Sequence, residues 1–239
     1  MTPEPRDEER ADAVELLALV AALEDHAFVR FAADAVNAPD AHQRLTRSRM
    51  AALAVARRDR VLDRLGELDG DPVAQVDRFD RVLDDFDTRT EPATWAERLL
   101  RGYVGCGVSD DFCRLAAWGV DAQSRDLVLD VLDDADHVEA AVAALSGACA
   151  DDAALSSRLA LWGRRVVGES LQTVSRLLSS RPGLARVAAR GLLAIASSGT
   201  GDTKARPGDA APDAPQPASV LNQLTVEHTR RMSKLSLTA

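Results

Sequence analysis

The sequence predicts an all-α protein, and three observations indicate that class. Apolar residues recur every three or four positions through most of the chain, as they do along one face of a helix. Ala, Leu, Val, Arg and Asp dominate the composition, whereas only 4% of the 239 residues are aromatic. No run of β-branched residues reaches the length of a strand. We therefore expect helices that pack around a core of small side chains.

Two long helices are predicted at the start of the chain, over residues 7–36 and 40–68. Residues 37–40 end the first helix, and the Gly- and Pro-containing segment 66–72 ends the second. The first helix carries a regular apolar stripe at Leu16, Val20, Leu23, Ala27 and Phe31. A short amphipathic helix follows, marked by Val76, Phe79, Leu83 and Phe86.

Three further helices are predicted in the middle of the chain. The third long helix begins with Thr90 as its N-cap and Pro92 in its first turn, and Gly119 ends it. The fourth is expected over residues 122–145, and the fifth from Leu155 to Arg181. A short helix over residues 184–195 completes the predicted bundle, which we place at residues 1–196.

The C-terminal part of the chain divides into a linker and a final helix. Residues 197–219 are rich in Gly, Pro, Ala and Asp and have almost no large apolar side chain, which predicts disorder. Residues 220–239 are expected to form a helix that packs back on the bundle. Its side chains keep helical phase at Val220, Leu224, His228, Arg231 and Leu235.

Charge and cysteine content exclude several classes of function. The formal net charge of −9 argues against a protein built to grip a phosphate backbone. The N-terminus lacks the pattern of a signal peptide, and no apolar run approaches the ~20 residues of a membrane span. The three cysteines form no CxxC pair, so we expect buried free thiols in a cytoplasmic protein.

Acidic residues occupy positions on three predicted core stripes. Asp134 falls between Val131 and Val138 on the fourth helix, while Asp110 and Glu169 fall on the stripes of the third and fifth. Burying a carboxylate costs several kcal/mol unless it is paired or bound to a metal. Either the helical phase differs from the expected one, or a positive group lies inside the bundle.

A carboxylate-bridged metal centre would explain these acids. Such a centre takes one Glu from each of two helices and a Glu-x-x-His pair from each of two others. Asp134 and His137 have the spacing of one such pair. The alternative is a solvated helix face with a satisfied histidine, which remains open at this point.

Several segments resemble a known family: ALEDHAFVRFAADAVNAP, DRLGELDGDP, TEPATWAERLLRGYVGCGVSDDF, LALWGRRVVGES and the tail VEHTRRMSKL. They are similar to actinobacterial ferritin-like proteins related to the tRNA hydroxylase that acts on methylthio-isopentenyl-adenosine. The resemblance implies a ferritin-like, up-down helical bundle with additional short helices and a docked C-terminal helix. For the hydroxylase itself it implies a non-haem di-iron site that activates oxygen.

Several positions depart from the pattern of that family. Ala54 and Arg57 stand where the second helix is expected to carry Glu-x-x-His. On the first helix Glu24 keeps an acid, but Val29 stands where we expect a second one, and Cys106 replaces an expected Asp on the third helix. We expect Arg57 to neutralise an inward carboxylate such as Asp134 in place of a metal.

Three hypotheses for function follow from these observations. The first is a tRNA-hydroxylase-like protein with a degraded site that binds one iron weakly or none. The second is an oxygen-activating hydroxylase with metal ligands drawn from Glu24, Asp110, Asp134, His137 and Glu169. The third is a structural or regulatory bundle that acts through protein contacts. A homodimer and an unidentified protein partner stay open, tRNA is implied by the resemblance alone, and no membrane is expected.

Overall fold

The computed structural model describes residues 5–69, 71–133, 135–150, 152–199 and 217–237. Within these ranges the chain is helical and contains no strand, which confirms the all-α prediction. The helices are α1 (Pro5–Val36), α2 (Ala41–Asp69), α3 (Pro72–Asp77), α4 (Asp84–Arg89), α5 (Trp95–Ala117), α6 (Ala122–Val131), α7 (Ala135–Cys149), α8 (Ala153–Ser180), α9 (Pro182–Gly199) and α10 (Pro217–Ser233). None of these helices combines the length and apolar character that a membrane span requires.

The long helices α1, α2, α5 and α8 surround the interior of the bundle. A four-residue connection makes α1 and α2 antiparallel neighbours that pack along their length. The largest core cluster joins α1 to α5 and α9, through side chains such as Leu17, Phe112 and Leu184. A smaller cluster lies between the C-terminal half of α1 and the N-terminal half of α2, and it consists of Ala27, Phe31, Met50, Ala51 and Ala54.

The terminal helix α10 packs on α5 and α8, as its apolar stripe predicts. Leu224 and Met232 are 1% and 0% exposed. Polar contacts add to this packing, because Tyr103 Oη donates to the Arg231 carbonyl at 3.0 Å and Arg231 Nη2 donates to Asp111 Oδ2 at 2.6 Å. A Cβ at Gly107 would collide with the Arg231 guanidinium, so this approach requires glycine.

Two of the predicted helices are divided in the structure. The expected helix at 122–145 is two helices, α6 and α7, because α6 ends at Val131 with Leu132 as its C-cap. The helical phase that placed Asp134 on one stripe with Val131 and Val138 is therefore interrupted. Likewise, the single short helix predicted between Val76 and Phe86 is replaced by α3 and α4.

Other boundaries also differ from the prediction. Thr90 is the C-cap of α4, and the N-cap of α5 is Thr94, which forms a capping box with Glu97. Helix α9 continues to Gly199 and α10 begins at Pro217, so both ends of the predicted linker are helical. Residues 200–216, the remainder of that prediction, lie outside the described residues.

Candidate functional site

A cavity of about 70 Å³ lies in the bundle and is lined mainly by residues of α1, α5 and α8, with Phe86 from α4 and Arg57 from α2. Its wall is mainly apolar, with Leu19, Leu23, Phe86, Phe112, Val174 and Leu177 among the lining residues. The polar side chains in the wall are Glu24, His26, Arg30, Arg57, Cys106, Ser109, Asp110, Ser170 and Thr173. The cavity therefore combines a hydrocarbon-like surface with charged groups of both signs.

The structure brings together two of the acids proposed as metal ligands. Glu24 on α1 is 7% exposed, and Glu24 and Asp110 on α5 both line the cavity. Burial raises the pKa of Cys106 and of Cys113, and the negative charges of Glu24 and Asp110 raise both further. The negative charges of both acids therefore influence the same two cysteines in the cavity wall.

The other proposed ligands do not complete this group in the described residues. Glu169 does not line the cavity and pairs instead with Arg89, with Nη1 and Oε2 3.4 Å apart. Asp134 and the side chain of His137 lie outside the described residues, so their predicted inward position stays a prediction. Val29 stands where the family motif led us to expect a second inward acid. Its side chain is 55% exposed, so this position lies on the surface.

An arginine from α1 occupies the interior where the family motif led us to expect a carboxylate on α5. Arg30 Nη2 donates to Cys106 Sγ at 2.6 Å. Burial raises the pKa of the Cys106 thiol, and the nearby Arg30 charge lowers it only in part, so the thiol remains neutral at pH 7. Arg30 was not identified from the sequence, although its position one turn after His26 on an otherwise apolar stretch of α1 is a usable signal.

His26 also lines the cavity, but one of its ring nitrogens is already engaged. His26 Nε2 lies 3.2 Å from Asp87 Oδ2, and Asp87 also accepts a hydrogen bond from Arg101. Burial alone would raise the pKa of Asp87, but the hydrogen bond from His26 and the charges of His26, Arg101 and Arg30 hold it below its usual value. The ionised Asp87 thus orients His26 as part of a polar network between α1, α4 and α5.

Among the described residues, two ligands expected of a dinuclear iron centre are replaced by other side chains. Arg57 lines the cavity, and Ala54 is completely buried against Phe31 and Met50, at the two positions expected to supply Glu and His. In the described part of the chain, no three His, Cys, Asp or Glu side chains lie close enough to hold a metal ion together.

Comparison with known families agrees with the helical architecture. The family described as "Ferritin-like domain, actinomycetes" matches residues 7–191, which include every residue that lines the cavity. A search of curated proteins found no match. Because the family match covers more than three quarters of the 239 residues, the chain belongs to this actinomycete ferritin-like family.

Proposed function

We propose that the protein is a ferritin-like relative of the tRNA hydroxylase whose metal site is degraded, so that it holds one iron weakly or none and is at most weakly active. The observation that carries this proposal is the pair of residues at the second-helix ligand positions, where Arg57 lines the cavity and Ala54 is buried. The proposed relation to the hydroxylase rests on the resemblance of five sequence segments, among them LALWGRRVVGES.

Electrostatics supports the proposal. Two divalent irons need about four carboxylates and two imidazoles to neutralise and orient them. The substitutions at positions 54 and 57 remove one carboxylate and one imidazole and add a guanidinium that does not lose its proton. At about 5 Å and an effective dielectric of about 20, a guanidinium repels a divalent ion by roughly 7 kcal/mol.

An oxygen-activating hydroxylase with rearranged ligands is the second candidate function. The observation that favours it is the shared position of Glu24 and Asp110 on the cavity wall, where they could hold a single ion from α1 and α5. A third candidate, a bundle that acts through protein contacts, is favoured by interior ion pairs such as Asp34 with Arg98, at 3.2 Å. A cytoplasmic location belongs to the proposal because the three cysteines form no CxxC pair, and tRNA as a partner belongs to it by resemblance alone.

Restoration of the missing ligands tests the proposed function. We expect Ala54→Glu combined with Arg57→His to raise bound iron from near zero toward two per chain in protein from iron-supplemented cells. The matched control makes the same exchanges on the exposed face of α2, Ala56→Glu with Arg60→His, and should bind no additional iron. If the restored variant folds but gains no iron, the second-helix ligands have been placed wrongly.

A further inference from the structure

Arg30 has no carboxylate within ion-pair distance among the described residues. Arg30 donates to the neutral Cys106 thiol, its Nε has no hydrogen-bond partner, and it forms no ion pair within 4.0 Å there. The Arg30 guanidinium also lies over the ring of Phe31, with Cζ 5.0 Å from the ring centroid. Burial opposes the charge of Arg30, but the charges of Asp34 and Asp87 contribute to raising its pKa, although neither carboxylate lies within ion-pair distance. The guanidinium therefore keeps its proton and is available to a carboxylate ligand at close range.

A second arginine near Arg30 also has no counter-ion within ion-pair distance in the part of the chain that the structure describes. Arg47 on α2 is 3% exposed, its Nε has no partner in the described residues, and Nη1 donates weakly to Met50 Sδ at 3.4 Å. Burial lowers the pKa of Arg47, Asp34 opposes this change, and the positive charge of Arg30 lowers the pKa further. The two guanidiniums therefore repel each other.

The surrounding ionised groups leave an excess of positive charge. Arg98 pairs with Asp34 and Arg101 pairs with Asp87, so the four guanidiniums of Arg30, Arg47, Arg98 and Arg101 meet the two carboxylates of Asp34 and Asp87. Glu91, which also acts on Arg101, is exposed to solvent. When Arg57, Glu24 and Asp110 of the cavity wall are included, the described part of this group contains five guanidiniums and four carboxylates.

We infer that the cavity binds a small apolar monocarboxylate, with its carboxylate on Arg30 and its hydrocarbon part among Leu23, Phe86 and Phe112. A guanidinium matches a planar carboxylate through two parallel hydrogen bonds, and the carboxylate would replace the thiol of Cys106 as acceptor. A monoanion fits better than a phosphate, because Glu24 and Asp110 oppose a dianion.

The size of the cavity limits the length of the ligand. A volume of about 70 Å³ accommodates on the order of five to seven water molecules, which corresponds to an acid of about that many heavy atoms. Pentanoate is therefore the probe, and pentanamide is its neutral isostere. The inference rests on the proposed function in one respect, that two irons do not fill the cavity.

The test is a titration of the full chain with each probe, followed by backbone amide NMR shifts, with chelator present and iron measured in parallel. We expect saturable pentanoate binding with a dissociation constant in the millimolar range or tighter, and pentanamide binding at least about tenfold weaker. Arg30→Gln should weaken pentanoate binding about tenfold or more. The control Arg165→Gln, which alters an arginine stacked on Trp162 away from the cavity, should leave it unchanged.

A second variant allows the test to be completed even if Arg30→Gln does not fold. Leu23→Phe narrows the cavity and leaves Arg30 in place, so it should also weaken pentanoate binding about tenfold. Equal binding of pentanamide, tighter binding of inorganic phosphate at the same residues, or no saturable binding in iron-free protein would overturn the inference. Two irons per chain would instead overturn the proposed function, so the two failures are distinguishable.

Discussion

At the scale of single residues, arginine side chains place positive charge in the interior of the bundle. Arg30 and Arg57 line the cavity beside Glu24 and Asp110, and Arg101 joins the network of Asp87. From the sequence, the apolar stripe of the third helix led us to Asp110, and the family motif led us to Glu24 and Arg57. It did not identify Arg30, because periodicity shows which face a residue occupies but not which side chain from another helix meets it.

His228 gives a prediction at this scale. It is 3% exposed, and neither ring nitrogen has a hydrogen-bond partner in the described residues. Burial, with a smaller effect of the Arg231 charge, lowers its pKa from 6.5 to about 4. The unfolded chain therefore takes up the proton first on acidification, and the folded protein should lose up to about 3 kcal/mol of stability between pH 6.5 and pH 4.

Comparison of the wild type with His228→Leu isolates this contribution. Asp111 faces the same interface, and burial raises its pKa, but this group is common to both proteins. Urea unfolding at pH 7.5 and pH 5 should show a smaller loss of stability for His228→Leu. An equal loss in the two proteins would show that His228 is not buried in its neutral form.

At the scale of helices, periodicity predicted which segments are helical, and side-chain capping decided where they begin. Thr90 precedes Pro92 and was an attractive N-cap, but it lies at the end of α4, where its hydroxyl donates to the Phe86 carbonyl at 2.6 Å. The sequence contained the better signal, Thr94 with Glu97 three residues later. No Gly or Pro near Val131 marks the break between α6 and α7, so the periodicity of the sequence predicted one continuous helix there.

The capping box of α5 gives a prediction at this scale. Glu97 N donates to Thr94 Oγ1 at 3.3 Å, and Thr94 N donates to Glu97 Oε2 at 3.2 Å. Thr94→Ala should lower the free energy of unfolding by about 1 kcal/mol. Thr225→Ala, an exposed threonine within α10, serves as the control and should change stability by less than about 0.5 kcal/mol. A similar effect of both substitutions would argue against the cap.

At the scale of the whole molecule, ion pairs join helices around an interior of mixed polarity. Asp12 on α1 accepts hydrogen bonds from Arg186 and Arg190 on α9, and Asp34 ties α1 to Arg98 on α5. The sequence predicted the helical bundle and the docked terminal helix, because both follow from apolar phase. It could not predict the pairing of charges between helices, since that depends on side-chain packing after the helices have met.

The iron content of the unaltered protein tests the central claim most directly. The full chain is purified without chelator from iron-supplemented cells, and iron per chain is measured by elemental mass spectrometry against protein concentration. The arginine-lined cavity predicts one weakly held iron or none, lost on dialysis against a chelator. Two irons per chain that survive this dialysis would contradict the account and favour the oxygen-activating hydroxylase.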